Sequence, residues 1–82
     1  METKKMKIKD FMIEKITDKD EYTQYVLDNI SDATFQDVYD KPWDVYKILN
    51  VGESSVRVFV FEVIAEIYNI DYDVIYNKWL YS

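Results

Sequence analysis

The stretch VRVFVFEVIAEIY, residues 56–68, decides the fold class of this chain. It is the longest nearly continuous apolar run, and its first six residues, rich in β-branched and aromatic side chains, are also typical of a buried strand. The run continues to Tyr68, and its length of 13 residues favours a helix that is buried on most sides. We therefore predict a central helix over 55–68. If residues 56–61 formed a strand instead, the fold would be α+β.

The residues after this run predict a turn and a last helix. Asn69 tolerates the left-handed backbone conformation that ends many helices. Asp71 can cap a helix that continues to about residue 81. Because few residues separate the two helices, we expect the last helix to pack on the central one.

The spacing in residues 61–79 resembles the helix-turn-helix family. In that family a small residue lies in the first helix, a Gly or Asn opens the turn, and two apolar residues fix the crossing of the helices. The residues that follow this pattern are Ala65, Asn69, Ile70 and Ile75. The resemblance implies a helix-turn-helix-like corner at the C-terminal end of the chain, and DNA as a candidate ligand.

The first residues of the last helix disagree with DNA binding. A recognition helix presents basic or amide side chains to bases and phosphates. This helix begins with Asp71, Tyr72 and Asp73, and its two carboxylates would repel phosphates. We therefore interpret the corner as a structural feature, and a small DNA-binding regulator remains the alternative.

The rest of the chain predicts further short helices in one compact bundle. Apolar residues recur at helical spacing over 6–16, 18–30 and 42–50, and Gly52 can end the last of these. One Gly and one Pro in 82 residues argue against an all-β fold, which needs many turns. The fold class is therefore all-α, a compact bundle of four to six short helices in which 55–68 is the central helix.

The predicted core takes residues from each of these helices. Its members are Ile8, Phe11, Met12, Val26, Ile30, Phe35, Trp43, Leu49, Phe59, Val60, Val63, Ile64, Ile67, Ile75 and Trp79. The central run has apolar residues on more faces than one small bundle covers easily. This leaves open a homodimer in which Val58 or Phe61 would be buried.

Composition limits the function more than it identifies it. The chain of 82 residues is expected to form a single domain, 1–82, with residues 1–5 as a flexible basic arm. It contains neither Cys nor His, so we expect no catalytic site, no metal site and no cofactor. No signal peptide or membrane-spanning run is evident, and we expect a cytoplasmic protein.

Charge gives the functional hypothesis. The net charge is −6, and from Ile16 onward 13 acidic residues stand against five basic ones. Such a surface repels nucleic acid and attracts basic proteins, and Tyr is enriched at protein interfaces. The candidate partner-binding residues are Asp37, Asp40, Asp44, Asp71, Tyr72, Asp73 and Tyr76.

In overall character the chain resembles small acidic phage-encoded inhibitors of host defence, including anti-CRISPR proteins, which are short and lack a catalytic apparatus. The resemblance implies a non-enzymatic module that imitates DNA and occupies a basic, nucleic-acid-binding surface of a host protein. One alternative is a helix-turn-helix regulator that binds DNA. A second is a structural or assembly protein whose acidity serves solubility alone.

Overall fold

The computed structural model describes residues 3–81 and shows six α-helices in that range. They are α1 (Ile8–Lys15), α2 (Glu21–Asn29), α3 (Phe35–Asp40), α4 (Val45–Leu49), α5 (Ser54–Ile67) and α6 (Tyr72–Leu80). Two 3₁₀ turns complete the order: the N-terminal turn (Thr3–Lys5) and the Pro42 turn (Pro42–Asp44). Residues 3–81 contain no strand, only an isolated bridge between Lys7 and Thr34. The all-α prediction is confirmed, and the alternative strand at 56–61 is wrong.

Burial along α5 shows why its apolar run forms a helix. Val56, Val60 and Ile64 are buried at a spacing of four residues, which places them on one helical face. Val58 is only half-buried, although a strand would place it on the same face as Val56 and Val60. Phe61 lies beside this face and is fully buried. The pattern of burial therefore has the period of a helix.

The turn between α5 and α6 is a Schellman motif. Asn69 adopts the left-handed conformation with φ of 54°. Its N–H donates to the carbonyl of Glu66 at 3.3 Å, and the N–H of Ile70 donates to the carbonyl of Ala65 at 3.0 Å. These bonds satisfy two carbonyls that the end of a helix would otherwise leave without donors. The predicted end of the central helix at Asn69 is confirmed.

Two other helix ends are fixed by side chains. Asp20 Oδ1 accepts from the N–H of Thr23 at 2.8 Å at the start of α2. At the start of α3, Thr34 and Asp37 form a capping box in which each side chain accepts from the other residue's N–H. The stop predicted at Gly52 is wrong, because the left-handed residue after α4 is Asn50, with φ of 59°.

The core follows most of the predicted set. The residues that are buried as predicted are Ile8, Met12, Val26, Ile30, Phe35, Leu49, Val60, Ile64 and Ile75. Five more pack on the core while half-buried: Phe11, Phe59, Val63, Ile67 and Trp79. The prediction missed Leu27, Val38, Val45, Val51, Val56 and Phe61, which are all buried. Of the two residues named for a homodimer interface, Phe61 is already fully buried within one chain and Val58 is half-buried.

Trp43 is a clear error of the predicted core, because 47% of the residue is exposed. The prediction assumed an α-helix from residue 42, in which positions 43, 46 and 49 would share a face. Instead residues 42–44 form a 3₁₀ turn, in which positions three apart lie on the same side. Pro42 and Val45 therefore point inward and are buried, and Trp43 points away from the core.

The predicted flexible arm, residues 1–5, lies only partly in the described chain, because residues 1 and 2 are outside it. Thr3–Lys5 form the N-terminal turn, which contacts both α3 and α5. The Nζ of Lys4 lies 4.7 Å from the centroid of the Tyr68 ring. The described part of the arm is thus folded onto the bundle.

Candidate protein-interaction surface

Three of the predicted site residues lie on consecutive elements, α3 and the Pro42 turn. Asp37 is in the first turn of α3, Asp40 is the last residue of α3, and Asp44 ends the Pro42 turn. Asp37 and Asp40 are exposed, and Asp44 is half-buried. With Lys41 and Ile48, the first two line a shallow groove of about 320 Å³. The structure therefore presents these carboxylates as one local group, which we call the α3 acidic group (Asp37, Asp40 and Asp44).

Not every member of the α3 acidic group is available for a partner. The Oδ2 of Asp37 accepts a hydrogen bond of 2.9 Å from the N–H of Thr34, as part of the capping box. The side chains of Asp40 and Asp44 make no hydrogen bond or ion pair within residues 3–81. Their carboxylates therefore retain their full capacity to accept hydrogen bonds from another molecule.

Trp43 is the residue of this surface that the sequence prediction missed. Its half-exposed indole lies three residues after Asp40 and directly before Asp44. Pro42 does not reveal it, because a Pro at the first position fits a 3₁₀ turn with a period of three as well as an α-helix. An exposed Trp between two carboxylates combines a large apolar surface with negative charge.

The other four predicted residues lie in the first half of α6 or directly before it. Asp71 is the N-cap residue of α6, although its side chain accepts no capping hydrogen bond, and Asp73 is in the first turn. Both are exposed. Carboxylates at the start of a helix interact favourably with the positive end of the helix dipole. Asp71 and Asp73 therefore contribute to helix stability as well as to the negative surface.

Tyr72 and Tyr76 are turned partly inward. Both are half-buried, and their rings stack on each other at 6.1 Å between centroids. Tyr72 also packs edge-on against Phe61, and its hydroxyl accepts a long hydrogen bond of 3.5 Å from Arg57 Nη1. These contacts leave less of the two rings available to a partner than the sequence analysis assumed.

The elements that carry the two halves of the predicted site are connected through aromatic contacts. The ring of Tyr39 in α3 stacks on that of Tyr68 with 3.8 Å between centroids. The Nζ of Lys78 in α6 lies 5.4 Å from the Tyr39 ring centroid, and Trp79 packs edge-on against Tyr46 of α4. No hydrogen bond, ion pair or ring contact within residues 3–81 joins the α3 acidic group directly to the residues at the start of α6.

A groove with a larger volume lies elsewhere, between the N-terminal turn and α1. It has a volume of about 820 Å³, and its lining includes Lys5, Lys7, Lys15, Asp10 and Glu14. No predicted site residue contributes to it. The described residues contain no group of three side chains that could together ligate a metal ion. None of the helices in residues 3–81 combines the length and the apolar character needed to cross a membrane.

Comparison with protein-family models, with curated proteins and with solved structures finds no match to this chain.

Proposed function

We propose that this chain is a non-enzymatic protein-binding module that occupies a basic, nucleic-acid-binding surface of a host protein. The position of Trp43 carries the proposal. Nearly half of this residue is exposed in the free chain, and in the sequence it is flanked by Asp40 and Asp44, whose carboxylates have no partner in the described chain. Burying the exposed part of an indole releases about 25 cal/mol per Å², and Trp is the kind of residue that dominates protein interfaces.

The indole of Trp43 and the carboxylates of Asp40 and Asp44 favour a partner with a basic surface. An Arg or Lys side chain can stack over the indole face as a cation–π pair. The carboxylates of Asp40 and Asp44 can then accept charge-assisted hydrogen bonds from the same or a neighbouring cation. Surfaces that bind nucleic acid present Arg and Lys to phosphates, and in this proposal carboxylates take the place of the phosphates.

A protein of this kind would act by occupancy and would need no catalytic group. The absence of His and Cys from the sequence agrees with that. Small phage-encoded inhibitors of defence proteins, including anti-CRISPR proteins, have the same overall character, so a defence protein in the host cytoplasm is the partner that we propose.

Binding measurements on matched variants test the proposal. Nucleic-acid-binding proteins retained by the immobilised chain from a host lysate are purified, and their affinity for the chain is measured by calorimetry. We expect Trp43→Ala to weaken binding at least about 30-fold, the effect of losing an interface hot spot. Asp40→Asn with Asp44→Asn should weaken binding and reduce its dependence on salt. Excess duplex DNA should displace the chain.

The control variant is Asp18→Asn with Glu21→Gln, which removes the same charge at exposed positions near the start of α2. It should leave the affinity within about twofold of the wild type if the location of charge matters more than its total. The proposal fails if excess duplex DNA does not displace the chain from its partner. It also fails if the Trp43 variant and the Asp40/Asp44 variant bind like the control.

The helix-turn-helix-like corner supports one alternative function, which is direct binding to DNA. The Schellman turn at Asn69 gives α5 and α6 the connection that this motif requires. A DNA-binding regulator should shift a labelled duplex at about 50 mM salt, where phosphate contacts are strong. Because Asp71 and Asp73 lie at the start of α6, we expect no such shift.

A further inference from the structure

Arg57, the one Arg in the sequence, is buried among aromatic rings between α5 and α6. Only 8% of the residue is exposed. Its guanidinium carbon lies 4.0 Å from the centroid of a Trp79 ring, 5.3 Å from that of Phe61 and 5.8 Å from that of Tyr76. These cation–π contacts hold the guanidinium plane in one orientation.

The hydrogen bonds of this guanidinium are incomplete. Its Nε is sealed from solvent and has no hydrogen-bond partner. Its Nη1 makes only the long bond of 3.5 Å to the Tyr72 hydroxyl. Within residues 3–81 no carboxylate lies within 4.0 Å of it. A buried cation is normally paired with an anion, because burial removes the hydration that stabilises its charge.

One edge of the guanidinium is nevertheless open to another molecule. Nη2 makes no hydrogen bond. Among the described residues, Nε is the only side-chain nitrogen or oxygen that is both sealed from solvent and without a partner. Since Nη2 also has no partner, it must be in contact with solvent. The hydroxyl of Tyr72 accepts from Nη1 and can donate its own proton. Together these groups form a small cluster of donors around a fixed positive charge.

We propose that Arg57 and Tyr72 form a binding site for a monovalent carboxylate, placed at the Nη edge of the guanidinium. Arg presents two parallel N–H groups to a planar carboxylate, and stacking on Trp79 fixes their direction in advance. A carboxylate fits better than a phosphate dianion, because the net charge of −6 opposes the second negative charge. The site is independent of the function proposed for Trp43.

The single Arg makes the site directly observable by NMR. In a chain labelled with ¹⁵N, the Nε–Hε resonance of Arg57 needs no assignment by mutagenesis. Titration with acetate or benzoate at constant ionic strength should shift this resonance in a saturable way. The dissociation constant should be on the order of 10 mM, the strength of one charge-assisted, hydrogen-bonded contact. Tyr72→Phe removes one donor and should weaken binding several-fold.

Two further titrations decide the nature and the source of the carboxylate. Inorganic phosphate should bind more weakly than acetate. The Arg57 Nε–Hε resonance is also followed as the protein concentration is raised without added ligand. A saturable shift in this series identifies an Asp or Glu of a second copy as the source of the carboxylate. Absence of this shift identifies a free carboxylic acid as the source. Shifts that are linear and equal for acetate and chloride overturn the site. Tighter binding of phosphate overturns the choice of carboxylate, and unchanged affinity in Tyr72→Phe overturns the role of the hydroxyl.

Discussion

Replacing Phe61 tests whether α5 is buried by its own chain. Phe61 is fully buried and packs edge-on against Trp79 at 6.2 Å and Tyr72 at 6.3 Å between ring centroids. Phe61→Leu removes the apolar equivalent of roughly one methylene, about 0.8 kcal/mol. It also removes two aromatic pairs, each contributing about 0.5–1.5 kcal/mol. The expected loss is therefore about 2–4 kcal/mol in the free energy of unfolding, or about 8–30 °C in Tm.

The assay is urea unfolding followed by circular dichroism, with Val74→Ala as the control. Val74 is 43% exposed on α6, so its truncation should cost below about 1 kcal/mol. The wild type and both variants are measured at about 5 and about 200 µM protein, because the stability of an obligate dimer depends on concentration. The reasoning is refuted if Phe61→Leu costs no more than Val74→Ala. It is also refuted if wild-type stability rises with concentration and Phe61→Leu abolishes that rise.

Two further predictions concern the ends of helices. Asn69→Ala should cost about 1 kcal/mol, because Ala at a φ of 54° meets the steric penalty of the left-handed region, whereas Asn69→Gly should stay close to wild type; thermal unfolding that places Ala above Gly would contradict this. Hydrogen bonds from the N–H and the side chain of Thr23 lower the pKa of Asp20 below its ordinary value of 3.8. The stability contributed by the Asp20 carboxylate is therefore present above pH 3.8 and is lost as the pH falls through the lower folded-state pKa. Unfolding of Asp20→Ala beside wild type should show a constant difference near neutral pH that shrinks in acid, and a difference that widened in acid would refute it.

The sequence was sufficient to predict the central helix and the turn after it. The length of the run 56–68 outweighed the strand character of its first six residues, and the buried residues Val56, Val60 and Ile64 follow the helical spacing. The turn was predictable because Asn at a helix end has a specific backbone preference, and Asn69 has it. Gly52 shows the limit of that argument, since Asn50, two residues earlier, ends α4 in the same way.

The environment of single residues was harder to predict than the helices themselves. The exposure of Trp43 depends on whether residues 42–44 follow a period of 3.0 or 3.6, and a three-residue segment is too short to show its period in the sequence. The burial of Arg57 depends on rings from α5 and α6 that meet only in the folded chain. Both environments also differ from the usual preferences of these residue types, since Trp is usually largely buried and Arg is usually exposed.

The carboxylates of the chain fall into two groups, and in the proposed function only one group contacts a partner. Asp20 and Asp37 accept hydrogen bonds at the starts of α2 and α3, so selection for stability alone explains these carboxylates. The carboxylates of Asp40 and Asp44 accept no such bonds in the described chain, and folding provides no comparable reason for them. In the sequence they flank Trp43, and the exposure of its apolar surface to water is unfavourable for the free protein. The hydrogen bonds therefore separate Asp20 and Asp37 from the charge that we propose for binding, which lies at Asp40 and Asp44 beside Trp43 in the sequence.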